Sequence, residues 1–342
     1  NTAIGAFAFD AGTGADNTAV GSGALGGGSN SGASNVAVGK DAGNAVTTGT
    51  NNTLIGSLAG AAITTGGSNV AIGYQALDLE DTGSNSVAIG RGALSAQNYD
   101  GEANNVAIGY GAGNVVTTGI SNTLIGSLAG DALTTGGYNV AVGHLALSTD
   151  DTANNNTAIG YAALTALNGG TQNVVVGQSA GAAMTTGGQN TVIGTNAGDA
   201  LTDADFNVAM GYLALSADTL GSRSVAIGTS ALRNQNLTTA TNTFNTAVGH
   251  DAGQAVTTGV QNTLIGGLAG DALTTGSLTC VGYLSGSAIT TSVGNVLMGE
   301  LSGTALTTGA HNTAFGSQAL STDTLGSKSV AVGHDALRYQ NF

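Results

Sequence analysis

The chain is built almost entirely from one short repeat, which is marked by a glycine that follows a large apolar residue. This glycine, called the rung glycine below, occurs twenty times between Gly5 and Gly333, mostly at intervals of 17 residues. The segment NTLIGSLAGDALTTG at 122–136 recurs at 262–276 with a single change, and at 52–66 in nearly the same form. A unit of this length cannot bury an apolar face alone and must stack on its neighbours. The repeat therefore predicts a solenoid of about twenty rungs.

Each unit contains a segment typical of a β-strand directly before the rung glycine. In Asn-Val-Ala-Ile-Gly at 69–73, β-branched residues bounded by Asn and Gly favour a strand over a helix. The alternation of a strand places Val70 and Ile72 on one face and Ala71 on the other. We expect the large residues to fill the core. The small middle residue is then expected to face a second surface, either a neighbouring chain or the return strand.

The second half of the unit occurs in two versions, which give a slower period. Four residues after the rung glycine, one version has Leu, as at Leu77 and Leu94, and the other has Gly, as at Gly43 and Gly60. The versions alternate in pairs, which predicts a four-rung block of about 70 residues with an inserted pair of rungs near 278–305. We expect one continuous repeat domain over residues 1–342, with loops at 98–100 and 239–241 where units are longer.

An asparagine stands four residues before the rung glycine in sixteen of the twenty units. In a stack of parallel strands about 4.8 Å apart, side-chain amides in register can hydrogen-bond along the stack. The sequence therefore predicts a structural ladder that includes Asn52, Asn69, Asn105, Asn122, Asn139, Asn156, Asn173 and Asn190. By the same spacing, twenty rungs would measure on the order of 95 Å.

The charge balance excludes several classes of partner. Only 6 Lys and Arg face 20 Asp and Glu, which gives a formal net charge of −14. Binding to nucleic acid or to an anionic membrane surface requires clustered positive charge. With 8% charged residues, the exterior must consist largely of Asn, Ser, Thr and Gly, which suits an extracellular or virion surface. No apolar run of about 18 residues predicts a membrane span, and the single Cys280 cannot form an internal disulfide.

The position directly after the rung glycine varies most, as an exposed position would. Its tyrosines could stack on sugars or contact a partner, although filling the surface between chains is the simpler interpretation; they are Tyr74, Tyr110, Tyr161, Tyr212 and Tyr283. The four histidines lack metal-ligand spacing. Recurrent aspartates lack the nonapeptide that binds calcium in other β-rolls. No nucleophile or phosphate-binding motif occurs. We therefore predict no enzyme, no metal and no cofactor.

The repeats Asn-Val-Ala-Ile-Gly (69–73) and Ser-Val-Ala-Ile-Gly (86–90 and 224–228), followed three residues later by Ala, resemble the head repeats of YadA-like trimeric autotransporter adhesins. Asn156–Leu164 also resembles repeats in the shafts of phage-type tail fibres. The resemblance covers nearly the whole chain and implies a left-handed parallel β-roll, three chains side by side, and attachment outside the cell. The units here are longer than the typical adhesin head repeat, and no neck, coiled-coil stalk or anchor is found.

These observations predict an all-β, parallel β-solenoid that forms a trimer and serves as a structural and adhesive segment of an extracellular fibre, on a cell surface or a virion. Its partners would be its own copies and a host-surface receptor or glycan. The alternative is a self-assembling extracellular filament whose subunits stack end to end, since neither end of the sequence carries a polar cap.

Overall fold

The computed structural model describes residues 1–340 and confirms the predicted fold class. It is all-β, with no α-helix among the described residues, and forms a parallel β-solenoid of about 19 turns with repeats of about 17 residues. Two compact units divide the chain, Asn1–Gln172 and Asn173–Phe342. The trimer and the handedness stay predictions, as does the single continuous domain.

The first unit contains one strand in each rung, directly before the rung glycine. Neighbouring strands pair in parallel without a shift of register, so that Val70, Ala71 and Ile72 lie opposite Val87, Ala88 and Ile89. Equivalent residues of successive repeats therefore form columns along the sheet. The strands are β1 (Thr2–Ile4), β2 (Thr18–Val20), β3 (Val36–Val38), β4 (Thr53–Ile55), β5 (Val70–Ile72), β6 (Val87–Ile89), β7 (Val106–Ile108), β8 (Thr123–Ile125), β9 (Val140–Val142) and β10 (Thr157–Ile159).

The second unit repeats this construction and adds a short two-stranded parallel sheet. Its strands are β11 (Val174–Val176), β12 (Thr191–Ile193), β13 (Val208–Met210), β14 (Gly221–Ser222), β15 (Val225–Ile227), β16 (Thr241–Asn242), β17 (Thr246–Val248), β18 (Thr263–Ile265), β19 (Ser277–Val281), β20 (Val293–Met298), β21 (Thr313–Phe315) and β22 (Val330–Val332). The pairing of β14 with β16 fixes the end of the longer connection, leaving Thr239 and Ala240 exposed. A shift of register between Ser277 and Leu278 lies where the sequence predicts an inserted pair of rungs, which stays a prediction.

The rung glycine is required because successive rungs approach closely. Gly73 has φ +136°, and a Cβ atom added there would lie 2.5 Å from the carbonyl oxygen of Gly90. Gly56 and Gly39 meet the glycine of the following rung in the same way. Any side chain would therefore both strain the backbone and force the rungs apart.

The expected orientation of the strand residues is wrong. The middle residue of each strand points into the core: Ala71 and Leu124 have no exposed surface. The large residues on either side point outward, and Ile125, beside Leu124, is 36% exposed. The interior is narrow, and the return half of each rung already supplies large side chains such as Leu77. The strand can therefore contribute only its middle residue to the core.

The two versions of the rung fill the core from different places. In the pair of glycine rungs that contains Gly43 and Gly60, one strand carries Leu54 and the other keeps Ala37. A Cβ atom on Gly43 would lie 2.6 Å from Leu54 Cδ1, and one on Gly60 2.8 Å from Leu54 Cδ2, so this leucine occupies the space beside both glycines. Such a glycine is not needed for backbone conformation, because Leu77 adopts φ +53° at the same position. A strand leucine thus replaces the missing return leucines of the pair, as close packing requires.

Candidate functional site

The asparagine column forms a buried hydrogen-bonded ladder in both units. Asn52 Nδ2 donates to the carbonyl oxygen of Gly66 at 2.9 Å and to Asn35 Oδ1 at 3.1 Å. Asn52 Oδ1 in turn accepts the backbone N–H of Asn69 at 3.0 Å. The same pattern of an amide donating to a carbonyl 14 residues later occurs at Asn69, Asn105, Asn122, Asn139, Asn156, Asn173 and Asn190. The ladder lies in the interior and holds neighbouring rungs together.

Where serine replaces the ladder asparagine, a glutamine from the return segment takes over its hydrogen bonds. Gln97 Nε2 donates to Ser86 Oγ at 2.9 Å and to the buried carboxylate of Glu80 at 2.8 Å. Gln97 Oε1 accepts from Asn105 Nδ2 at 2.9 Å, so the ladder continues. Glu80 also accepts the backbone N–H of Gly83 at 2.7 Å. This cluster is sealed from solvent and stabilises the stack.

The same cluster recurs around Ser224 and Ser329. Gln235 donates to Ser224 and to Asp218, and Asn245 Nδ2 donates to Gln235 Oε1 at 2.8 Å. Gln340 Nε2 lies 3.2 Å from Ser329 Oγ and 3.3 Å from Asp323 Oδ2. These clusters were not predicted from the sequence. Their signal is the residue seven after the rung glycine, which is apolar in most rungs but is an acid and then a glutamine in these pairs of rungs.

Asp150 occupies the acid position of a rung pair that keeps its asparagine. Asn156 stands where the other clusters have serine, and Leu167 where they have glutamine. Asp150 Oδ1 accepts the backbone N–H groups of Thr152 and Ala153, each at 2.9 Å, and Oδ2 accepts that of Gly169 at 3.1 Å. Desolvation by burial nevertheless raises the pKa of Asp150, and these hydrogen bonds offset part of the rise.

The five tyrosines after the rung glycines are about half exposed, but the structure brings only some of them near other functional groups. The Arg91 guanidinium lies 6.0 Å from the ring centre of Tyr74 and 5.7 Å from that of Tyr110. Tyr161 lies three rungs further along and stacks on His144, with ring centres 5.7 Å apart. Tyr212 and Tyr283 belong to the second unit.

A second exposed aromatic column lies five residues before the rung glycine and was not predicted. Its members Tyr138, Phe206 and Phe244 are all well exposed, and the Arg223 guanidinium lies 4.6 Å from the Phe206 ring centre. The signal in the sequence is the same variability that marks the tyrosine column. Aromatic side chains are therefore presented to solvent from two positions of the rung.

A groove of about 380 Å³ opens beside Tyr110 in the first unit. Two successive rungs have glycine, Gly92 and Gly111, at the second position after the rung glycine, whereas the rungs on either side have Gln75 and Leu128. The missing side chains create the space. The polar and aromatic side chains that line it are Gln75, Asp78, Arg91, Ser95, Tyr110, Asn114 and Asp131.

The two carboxylates of the groove are partly desolvated. Burial raises the pKa of Asp78, and a hydrogen bond of 3.1 Å donated by Gln75 Nε2 offsets part of the rise. Burial also raises the pKa of Asp131, and its own backbone N–H and the nearby His144 offset part of that rise. Asp131 Oδ1 is buried and has no hydrogen-bond partner within the described chain, as is the case for the equivalent atoms of Asp199 and Asp271.

The outward-facing residues of the strands form the outer strand face, defined as the residues one and three before each rung glycine. These positions hold Thr, Val, Ile, Met or Phe in all twenty rungs and never a charged residue. Ile55 and Ile265, for example, remain more than a third exposed. The row one before the rung glycine is thus apolar throughout, the row three before it consists of Thr and Val, and both are left in contact with solvent.

Among residues 1–340, no group of three or more His, Cys, Asp or Glu side chains is placed to hold a metal ion. The same part of the chain contains no helix long and apolar enough to cross a lipid bilayer. Comparison with family models, curated proteins and solved structures found no match to this chain.

Proposed function

We propose that the chain is a structural and adhesive segment of an extracellular fibre in which three copies pack together through their outer strand faces. The observation that carries the proposal is the uncharged, apolar outer strand face, which repeats at every rung and is uncovered in the single chain. Contiguous exposed apolar surface beyond a few hundred Å² is rare on monomeric soluble proteins and is typical of interfaces.

We infer that a second copy of the chain covers this face, because the side chains of the face repeat at the rung spacing. A second, identical face has rows with the same spacing and carries no charged side chain that would repel them. The resemblance of the repeats to trimeric adhesin heads favours three copies over two. An interface along many rungs would bury further apolar surface and so stabilise the assembly.

The adhesive part of the proposal is supported by the aromatic side chains of the other positions. Tyr110, Tyr138 and Phe206 stand outside the outer strand face and remain exposed. The low charge and the Asn-, Ser- and Thr-rich exterior suit a surface outside the cell. Assembly of three chains would present several copies of each aromatic position, and multivalency strengthens attachment without any new contact.

The mass of the assembly in solution tests this function. Analytical ultracentrifugation of the intact chain is expected to give three times the chain mass of 32.8 kDa. The variant Ile72→Lys, which places a charge on the outer strand face, is expected to dissociate the assembly. Tyr212→Ala, which removes an exposed side chain elsewhere, is the control and should not. A monomeric mass for the unaltered chain would contradict the proposal, and continuous filaments in electron micrographs would favour end-to-end assembly.

A further inference from the structure

We propose that the groove beside Tyr110 binds a neutral oligosaccharide of hexose or N-acetylhexosamine units. This inference rests on the proposed adhesive function, because it names the class of molecule to which the segment attaches. The proposed site lies at one place in the first unit, although a regular repeat would predict the same surface at every rung.

The groove exists because of a local departure from the repeat that the backbone does not require. Gly92 and Gly111 have φ values of +67° and +61°, but Gln75 and Leu128 adopt +55° and +57° at the same position of the adjacent rungs. Side chains are therefore compatible with this conformation. A Cβ atom on Gly92 would come no nearer than 3.4 Å to Asn114 Oδ1, which is ordinary contact. The absence of both side chains leaves about 380 Å³, within the range of small-ligand sites of roughly 300–1,000 Å³.

One wall of the groove contains the aromatic ring of Tyr110, which lies beside the Arg91 guanidinium. Tyr110 is 54% exposed, and its ring lies 5.7 Å from the Arg91 guanidinium, which also lies 6.0 Å from the Tyr74 ring. Arg91 has no carboxylate within salt-bridge distance among the described residues, so its N–H donors are available to a ligand. An exposed ring beside fixed donors suits a sugar, which has an apolar face of C–H groups and an edge of hydroxyls.

Much of the remaining lining is polar and supplies both donors and acceptors, although Leu79, Ala96 and Leu128 also contribute apolar surface. Gln75 and Asn114 carry amides, and Asp78 and Asp131 carry carboxylate oxygens. Hydroxyl groups both donate and accept, so a saccharide can satisfy this mixture, whereas an apolar ligand would leave the polar groups unpaired.

The local charge selects against anionic ligands. The groove places the carboxylates of Asp78 and Asp131 against the single guanidinium of Arg91, in a chain with a net charge of −14. Phosphorylated, sulfated or sialylated molecules would bring further negative charge to this surface. A neutral sugar avoids that repulsion.

The test uses the intact chain and an array of neutral hexose and N-acetylhexosamine oligosaccharides, with sialylated and sulfated glycans on the same array. Titration calorimetry then measures the affinity for the neutral ligands that bind. Tyr110→Ala is expected to weaken binding about tenfold, and Gly92→Leu, which fills the groove, to abolish it. Leu325→Ala is the control, because Leu325 is an exposed side chain of the second unit, at 59% exposure, and belongs to neither aromatic column; this variant should bind like the unaltered chain.

Absence of binding to every neutral glycan would overturn the inference. Equal affinity of the unaltered chain, Tyr110→Ala and Gly92→Leu would also overturn it, as would binding of sialylated or sulfated glycans in place of neutral ones. The sedimentation mass of each protein measures assembly independently of sugar binding, so the two proposals can fail separately. A trimer that binds no sugar contradicts only the groove inference, and a monomer that binds sugar contradicts only the trimer.

Discussion

The side-chain amide of Gln97 lies 2.9 Å from Ser86 Oγ and occupies the place in the ladder that an asparagine holds in other rungs. Gln235 has the same relationship to Ser224. A position that departs from the repeat is therefore compensated by a residue 11 positions later in the sequence. The two changes depend on one another, and this dependence can be measured.

Gln235→Leu is expected to destabilise the fold by about 2–4 kcal/mol, because the buried Asp218 carboxylate and Ser224 Oγ lose a donor. Adding Ser224→Asn should recover much of the loss. The double variant reproduces the combination of acid, asparagine and leucine that Asp150, Asn156 and Leu167 show naturally. Urea denaturation of the single and double variants measures the coupling, and additive effects of the two substitutions would contradict it.

Asp150 is expected to make stability depend on pH. Because burial raises its folded-state pKa above the unfolded value of about 3.9, folding favours the protonated carboxyl. The contribution is present below the unfolded pKa and is lost as the pH rises through the folded pKa. The free energy of unfolding of the unaltered chain should therefore fall, relative to that of Asp150→Asn, as the pH rises from about 3.9 toward neutrality. Parallel pH profiles from urea titrations would refute this.

Two adjacent residues of one strand are expected to respond differently to truncation. Leu124→Ala should destabilise the fold by about 2–5 kcal/mol, because Leu124 is buried and a cavity would remain. Ile125→Ala removes an outward side chain and should cost less in urea denaturation at protein concentrations low enough to favour the single chain. Ultracentrifugation should instead show that Ile125→Ala weakens self-association. If Ile125→Ala destabilised the fold more than Leu124→Ala, the assignment of Leu124 to the core would be contradicted.

The adjacent glycines Gly266 and Gly267 give a matched test of rung spacing. A Cβ atom on Gly266, at φ +130°, would lie 2.5 Å from the carbonyl oxygen of Gly282, whereas one on Gly267 would lie 3.5 Å from the Tyr283 ring. Gly266→Ala is expected to cost more than about 2 kcal/mol. Gly267→Ala should be close to neutral, since Ser127 occupies this position in the near-identical repeat. Equal melting temperatures for the two variants would argue against the close approach of successive rungs as the reason for the rung glycine.

The strands, their parallel stacking and the buried return leucines could be predicted because each depends on a column that repeats in the sequence. The direction of the strand side chains could not be predicted. Alternation distinguishes two faces of Val70-Ala71-Ile72 but does not say which face the return segment covers. The answer depends on the width of the interior, which leucines such as Leu77 already occupy.

The clusters around Glu80 and Asp218 and the groove beside Gly92 were not predicted for a different reason. Each arises where the repeat changes, and some of the partners stand a full rung apart in the sequence. Gln97 contacts Glu80 across 17 residues, a separation that acquires meaning only when the rungs are stacked. The tyrosine column could be identified in the sequence. The role of the glycines that open space beside Tyr110 becomes apparent only when the rungs are stacked in the structure.

The seventh position after the rung glycine also limits how such a chain can change in length. Its residues run apolar, apolar, acid, glutamine in the block that contains Val46, Ile63, Glu80 and Gln97. An added pair of apolar rungs keeps an apolar residue before the acid, and the sequence predicts Ile289 and Leu306 as such a pair, lying before Asp323 and Gln340. Loss of one acid rung would instead leave a buried glutamine without its acid. Insertion of whole apolar rungs or of whole blocks thus keeps each glutamine beside its acid, which makes the solenoid extensible in discrete increments.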